Sequence, residues 1–551
     1  MNYKKEIIKL LQKELETKDI VLEVPPANFG DYAFPCFKLQ NPNEKAKELS
    51  NKIKANFLEK VEARGPYLNF FINKKYLAEN TIKQILKEKE NYGKGKEKGN
   101  IMVEFCHANT HKAFHVGHTR NICLGESLCR IIEKLGYKVI RVNYQGDIGM
   151  HVAKTIWGIL NLKKLGLKEP KDNKGKWLGI VYAKASAAAV DEKIAQEINE
   201  INQKLYAGDK KLLDLWKKTR KWSIDYFEKI IYPDFKVKFN RFYFESQVEK
   251  KGIEIVKDLI KKKIAIINEG AAIINLEKYG LGVFLLLKSD GTPLYSTKDF
   301  ALAELQDKGY KPNKILHVVG SEQNMYFKQL IKTIEIYNPK LAKKEEHLSY
   351  GLVILPTGKM ASREGKVILY DETLATIIDL VKIEIKKRNN KISGKELDDR
   401  AKKIALGAIK YVMLAQDVNK NIIFNEQDIT RFEGDTGPYL QYSYARASSI
   451  LKKSKRKIAN IKILNLEDKE IKLLKKLGEF SDVVRNSYNN YSPNVIANYT
   501  FKLAQIFNEF YQHCKVIGSD EEQQRLAIVQ SFKVVMKNSL NLLGIDVIEE
   551  M

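Results

Sequence analysis

The run from Ile101 to Tyr144 constrains the fold of this 551-residue chain more than any other stretch. It opens with IMVEF (101–105), a short apolar run of the buried-strand type. A loop containing His115-Val116-Gly117-His118 follows, and then TRNICLGESLCRIIEKLG. In that segment Ile122, Leu128, Ile131, Ile132 and Leu135 line one face at helical spacing, and Gly136 marks the C-terminal end. KVIRVNY (138–144) is the next strand. Strand, crossover helix, strand is the unit of a parallel sheet, and such sheets bind ligands beyond the C-terminal ends of their strands. The expected architecture is therefore an α/β, Rossmann-like parallel-sheet domain with its crevice at the loop 106–118.

The rest of the chain is expected to arrange itself around that sheet. Residues 1–92 read as an N-terminal α+β module. A helix at 4–16 lines up Ile7, Ile8, Leu11 and Leu15, a Pro/Gly-marked stretch VPPANFGDYAFP follows, and then a helix near 44–58 and the strand PYLNFFI at 66–72. GKGKEKGN (93–100) is a polar boundary. Within the sheet domain, 93–394, the charged stretch around 160–280 reads as a helical insertion. FLLLK (284–288), KILHVVG (314–320) and LVIL (352–355) are expected to return to the sheet. Residues 395–551 are expected to be helical almost to the end, forming a separate α-helical domain, with Gly544 closing the last long helix.

Charge narrows the partner. A formal net charge of +27 favours a polyanion, nucleic acid before a membrane surface, although a Lys-, Ile- and Asn-rich proteome would also produce it. The five cysteines, Cys36, Cys106, Cys123, Cys129 and Cys514, form no Cys-x-x-Cys pair, so no structural zinc and no metal site is expected. Scattered thiols suit a reducing compartment. No run of about 18 apolar residues exists and the N-terminal helix carries acids, so neither a membrane span nor a leader is expected. The expected location is the cytoplasm, and the expected state is a monomer.

Two short motifs carry chemistry. His115 and His118 flank Gly117 where the strand gives way to the helix, and a helix N-terminus there suits phosphate. Lys359-Met360-Ala361-Ser362-Arg363 lies on a Gly-flanked loop after LVIL, placed to clamp a triphosphate. Alone, each has a bland reading: a pair of satisfied histidines, and a basic surface turn. No P-loop competes for the nucleotide.

Together and in this order the motifs resemble HIGH and KMSKS of the class I aminoacyl-tRNA synthetases, which bind ATP. The flanks resemble the arginyl-tRNA synthetase family. Asn109, Lys112, His115, Gly117, His118 and Arg120 match its Asn-x-x-Lys-x-x-His-x-Gly-His-x-Arg. Gly146-Asp147-Ile148-Gly149, Asp290-Gly291-Thr292, Tyr295 with Asp299, Gly437-Pro438-Tyr439-Leu440-Gln441-Tyr442 with Ala445-Arg446, and Phe29-Gly30-Asp31-Tyr32 look like further family motifs. The chain departs from the pattern at Arg363 for lysine, His107-Ala108 for Ser-Pro and Ile148 for tryptophan.

The resemblance implies ATP-dependent ligation of L-arginine to tRNA(Arg) through an arginyl-adenylate, with Mg²⁺. It implies that His115, His118, Lys112, Lys359 and Arg363 are catalytic, and that Gly117, Met360 and Ser362 join the nucleotide contacts. It puts Glu104 and Asn109 at the amino and carboxylate end of arginine. Tyr295 and Asp299, four apart on one helical face, suit the guanidinium fork. Asp147, Gln323 and Tyr326 are further pocket candidates; Asp147 reads equally as an Asx turn. For tRNA, the implied contacts are Phe29 and Tyr32 in the first module and Tyr439, Gln441, Tyr442 and Arg446 in an anticodon-binding helical domain. Any of those tyrosines reads also as interhelical packing, as do Tyr488, Tyr491 and Tyr499. The rival readings are another class I synthetase, a nucleotidyltransferase sharing only the histidine motif, and a non-catalytic tRNA-binding paralogue.

Overall fold

The computed structural model describes residues 3–354, 368–454, 456, 458 and 461–551. Lys359, Met360, Ser362 and Arg363 lie outside the described residues. The chain opens with α1 (Tyr3–Leu15), β1 (Tyr32–Pro35), α2 (Pro42–Lys52), β2 (Leu58–Arg64), β3 (Tyr67–Ile72) and α3 (Lys74–Glu88). The three strands form an antiparallel sheet in the order β1-β3-β2, with Leu68 and Phe70 of β3 buried beneath Ile7 and Leu11 of α1. The helix expected at 44–58 stops at Lys52, because LEKVEAR beyond it pairs with β3. That strand carries charges on its outer face and so shows little apolar signal.

The central sheet is built from β4 (Asn100–Glu104), crossover helix α4 (Val116–Lys134) and β5 (Lys138–Gln145). Ile101 and Val103 face one side of it and Met102 the other, and both sides are covered by apolar residues. The charged stretch that follows supplies α5 (Met150–Leu160), α6 (Lys174–Ala188), α7 (Glu192–Tyr206), α8 (Lys210–Tyr226) and α9 (Tyr232–Phe235). It then returns to the sheet as β6 (Arg241–Phe244), parallel to β5. The helical insertion therefore closes near 240, not 280: four residues, RFYF, are too short to stand out among charges.

Next come α10 (Glu245–Lys261), β7 (Ile266–Asn268), β8 (Ala271–Asn275), β9 (Val283–Leu287), α11 (Tyr295–Tyr310) and β10 (Lys314–Gly320). FLLLK does not rejoin the main sheet. As β9 it pairs antiparallel with β8, burying Phe284 and Leu286 while Val283 and Leu285 face out. β10 does return, followed by α12 (Asn324–Tyr337), α13 (Pro339–Ala342), β11 (Glu345–Tyr350) and β12 (Val353–Ile354). LVIL, too, misses the main sheet: β12 pairs with β13 (Ile422–Ile423), after α14 (Tyr370–Arg388) and α15 (Gly394–Ala415). The edge beside β10 is held instead by β11, whose EEHLSY is polar. The chain ends in α16 (Glu426–Ile429), α17 (Gly437–Lys453), α18 (Asp468–Gly478), α19 (Phe480–Asn489), α20 (Asn494–His513) and α21 (Glu522–Leu542).

The main sheet runs β11-β10-β4-β5-β6, all parallel. From β4 the chain winds outward to β5 and β6; from β10 it winds the other way to β11. The winding reverses between β4 and β10, and the crevice beyond their C-terminal ends is where such sheets hold ligands.

Candidate active site

The loop after β4 is held in an unusual backbone. Cys106, His107 and His111 all take positive φ, at 83°, 51° and 64°. Residues with side chains seldom adopt that region, and such strain collects at ligand sites. Helix α8 braces the loop. The buried His111 ring meets Thr110 Oγ1 at 2.9 Å and Thr219 Oγ1 at 2.8 Å, and Ser223 Oγ accepts from His111 N at 2.9 Å.

His115 is the N-cap of α4. Its Nδ1 accepts from Gly117 N at 3.1 Å, while His115 N donates to His118 Nδ1 at 3.3 Å. The two rings stack with centroids 3.7 Å apart. Burial pulls His115 down to about 4 and His118 well below the usual imidazole range, helped by Lys112 in both cases. Both rings are therefore neutral at pH 7. Since each Nδ1 accepts from a backbone N–H, each proton sits on Nε2. The pair offers two Nε2–H donors at a helix N-terminus, with the Lys112 ammonium nearby and 5.4 Å from the Tyr182 ring. Neutral donors and one cation suit phosphate oxygens. Arg120 plays a different part. Fully buried, its guanidinium donates to Gly351 O at 2.5 Å, Leu352 O at 3.2 Å and Val418 O at 3.1 Å. It ties α4 to the strand that leads toward Lys359.

At the same edge lies an acidic slot. Asp299, on α11, accepts from the Tyr326 hydroxyl through Oδ2, and its Oδ1 is buried without a partner. Burial first, with the negative charge of Glu104 and Glu245 behind it, pushes this carboxyl up to about 7. The Tyr144 hydroxyl is likewise buried and unpartnered, within electrostatic reach of Asp299. Glu104 ends β4, buried, its Oε1 3.0 Å from His317 Nδ1 and its Oε2 accepting from Gln306. Glu104 lies within electrostatic reach of Asp299.

The remaining candidates divide. Asn109 accepts from Gly146 N at 3.0 Å, and a Cβ at Gly146 would stand 2.7 Å from that same oxygen, which accounts for the glycine. Tyr295 starts α11 and is 63% exposed at the rim. Gln323 is exposed on the short turn Ser321–Gln323 after β10. Asp147 is withdrawn from the pocket. Its carboxylate binds Arg220 at 2.6 Å and accepts from Ser246 N at 3.0 Å and Ser246 Oγ at 2.7 Å, so it locks α8 to α10.

Several participants escaped the sequence reading: Tyr144, His317 with Glu345, Lys298 paired to Glu245 at 2.8 Å, and the α8 brace. Only the last left a legible signal. Trp216, Thr219, Arg220 and Ser223 share one helical face, polar where an apolar stripe is usual.

Residues 81–426 match the model of the class I (R) tRNA synthetase catalytic domain, residues 440–551 the DALR anticodon binding domain, and residues 2–72 the arginyl tRNA synthetase N terminal domain. The chain belongs to the arginyl-tRNA synthetase family. Arginine–tRNA ligases of Clostridium acetobutylicum and Clostridium perfringens are 34% and 35% identical to it, each over the whole of both chains. The arginyl-tRNA synthetase structure of Thermus thermophilus shares the fold with a TM-score of 0.84 at 24% identity, over 100% of this chain and 99% of that one. That of Plasmodium falciparum does so with 0.80 at 22%, over 99% of each.

For an arginyl-tRNA synthetase the helical end is the second surface of interest. Along α17, Tyr442 and Arg446 are half-exposed: the guanidinium lies 4.7 Å from the Tyr442 ring, 5.4 Å from Tyr511, and 2.5 Å from Asn508 Oδ1. Tyr439 is half-buried, its hydroxyl accepting from Asn508 at 2.8 Å. Gln441 is fully buried, donating to Lys403 O at 3.2 Å and Asp546 O at 2.8 Å against Gly407. It is a strut between helices and is removed from the tRNA contacts. Tyr488, Tyr491 and Tyr499 are also spent on packing, against Tyr137, Lys314 and Lys476 O. In the first module Phe29 is exposed beneath the Arg64 guanidinium, at 4.9 Å, whereas Tyr32 is partly sunk into the core. No helix among the described residues is long and apolar enough to cross a membrane.

Proposed function

We propose that the chain activates L-arginine with ATP and transfers it to tRNA(Arg). One observation carries the choice of amino acid: Asp299 Oδ1, buried and without a partner, beside a second buried carboxylate at the topological switch point. A guanidinium is always charged and presents parallel N–H donors, the group such a carboxylate lacks. Tyr326 fixes Asp299, and Tyr295 covers the rim. Asn109 stands toward the amino and carboxylate end.

The arginine carboxylate attacks the α-phosphorus of ATP, and pyrophosphate leaves. A terminal ribose hydroxyl of tRNA then attacks the arginyl carbonyl, and AMP leaves. The Nε2–H groups of His115 and His118 donate to phosphate oxygens, and Lys112 offsets their charge. By resemblance Lys359 and Arg363 add further charge, and Gly117, Met360 and Ser362 further contacts. Positioning and electrostatic stabilisation do most of the catalysis. No group of three or more His, Cys, Asp or Glu gathers as a metal cage among the described residues. By resemblance Mg²⁺ enters with ATP, as part of the substrate.

The Tyr442–Arg446–Tyr511 stack and Phe29 serve tRNA bases and backbone; exposed aromatic and guanidinium planes suit unstacked bases. The division into 1–92, 93–394 and 395–551, a monomeric state and a cytoplasmic location belong to the same proposal. Charging of purified tRNA with each of the twenty amino acids tests it. Arginine alone should be incorporated, with lysine poorer by on the order of 10⁴-fold, because a lysine ammonium leaves fork acceptors unpaired. Charging with any other amino acid at comparable rate overturns the assignment.

A further inference from the structure

His317 forms part of no motif, yet it sits at the switch point itself. On β10 it is the register partner of Glu104 on β4. Its Nδ1 lies 3.0 Å from Glu104 Oε1, and its Nε2 lies 2.5 Å from Glu345 Oε2 on β11. All three side chains are buried. A neutral imidazole has one N–H, and would turn a lone pair on one of the two carboxylates. Two ionised acceptors require both N–H groups, hence an imidazolium. The set of three then carries one net negative charge. No lysine or arginine among the described residues is paired with either acid.

We propose that His317 is a positioning residue for arginine recognition: clamped between Glu104 and Glu345, it keeps both buried carboxylates ionised and fixes Glu104 in the slot beside Asp299. The inference rests on the reading of that slot as the guanidinium pocket. Two buried carboxylates with no cation between them cannot both stay ionised. Without His317 one would take a proton, Glu104 would lose its anchor, and the slot would lose the charge that attracts a cation. With it, the slot retains a negative charge that a guanidinium neutralises. The titratable groups facing the ring are Glu104, Glu345, His347 on β11, His107 in the strained loop and Asp299 on α11. Gln306 binds Glu104 and the Phe327 ring lies 5.5 Å away. The His107 Nε2 is buried and unpartnered, so it does not compete for either acid.

The test is aminoacylation by His317→Gln and Glu345→Gln, with arginine and ATP varied separately between about pH 6.5 and 8.5, bracketing the ordinary imidazole range. His317→Gln should raise the arginine KM roughly 10- to 100-fold, the worth of a hydrogen bond between charged groups, and leave the ATP KM unchanged. Its defect should shrink as pH rises, because alkali re-ionises the paired acids. Glu345→Gln should shift the arginine KM in the same direction by less, and it carries the test if His317→Gln fails to fold. A wild-type arginine KM in a folded variant overturns the inference, and so does an equal rise for arginine and ATP without a pH trend. Asp299→Asn separates the two levels. If it raises the arginine KM while the His317 and Glu345 variants do not, only the inference falls. If it leaves the arginine KM unchanged, the pocket reading falls with it.

Discussion

His115 and His118 stand at one end of the crevice and His317 at the other, on the same sheet edge, in opposite charge states. The first two are neutral because burial and Lys112 disfavour the cation and backbone N–H groups occupy their Nδ1 atoms. His317 is more deeply buried, yet its pKa is raised well above the usual range. Burial opposes this, but Glu104 and Glu345 outweigh burial. Neighbours, not residue type, assign the charge. The difference follows the two substrates. The phosphate end offers uncharged donors at a helix N-terminus, and the guanidinium end gathers buried acids that need a cation.

The comparison breaks most visibly at the phosphate end. His118→Ala should lower arginine activation by roughly 10²–10³, the cost of one lost transition-state donor, with the fold intact. Because the ring is already neutral, the wild-type-to-variant ratio should stay flat above pH 6. Pyrophosphate exchange measured against pH checks both points. A ratio that collapses as pH rises past the ordinary imidazole range would mean a charged His118, and the contrast with His317 would vanish.

The phosphate end was the legible one. Its chemistry sits in seven neighbouring positions, Lys112 to His118, on the one strand–helix–strand unit that apolar periodicity marks clearly. The acidic end was half legible. Tyr295 and Asp299 fall four apart on a helix, but Glu104 lies 213 residues before His317 and Glu345 lies 28 after it, and the three meet only through strand register. β11 was missed for a related reason. An edge strand that supplies Glu345 and His347 to the interior reads as polar, while FLLLK, the more apolar run, belongs to a separate antiparallel sheet. Asp147 and Gln441 show the limit of motif matching. Both stand in family-like patterns, and both are consumed by internal bonds that no linear pattern reveals.

A second contrast, of smaller expected effect, lies within α17. Arg446 holds a half-exposed guanidinium between two tyrosine rings, and Gln441, five residues earlier, is sealed in the core. Arg446→Ala should raise the tRNA KM about tenfold, in the range of one lost stacking contact, and leave arginine activation unchanged. Gln441→Leu should alter the thermal midpoint and leave the tRNA KM where it was. Equal effects on tRNA KM would show that the two residues do not divide as burial divides them.

The smallest effect sharpens the acidic end. The Asp299 carboxyl has its pKa raised to about 7 from 3.8. Between those values the folded chain holds a proton that the unfolded chain has released. Stability contributed by this group is therefore greatest at the acid end of the window and falls as pH rises through 7. Asp299→Asn removes that liability. Its stability should match wild type below about pH 4, where the carboxyl is protonated folded or unfolded, and exceed it by pH 8, by on the order of 1 kcal/mol once the altered Tyr326 bond is discounted. Saturating arginine should close the gap, since the wild type binds the ligand and the variant does so poorly. Thermal unfolding at several pH values, with and without arginine, reads all of this. A variant less stable than wild type at pH 8 would mean that Asp299 is already compensated inside the protein, and that the slot does not need a cation.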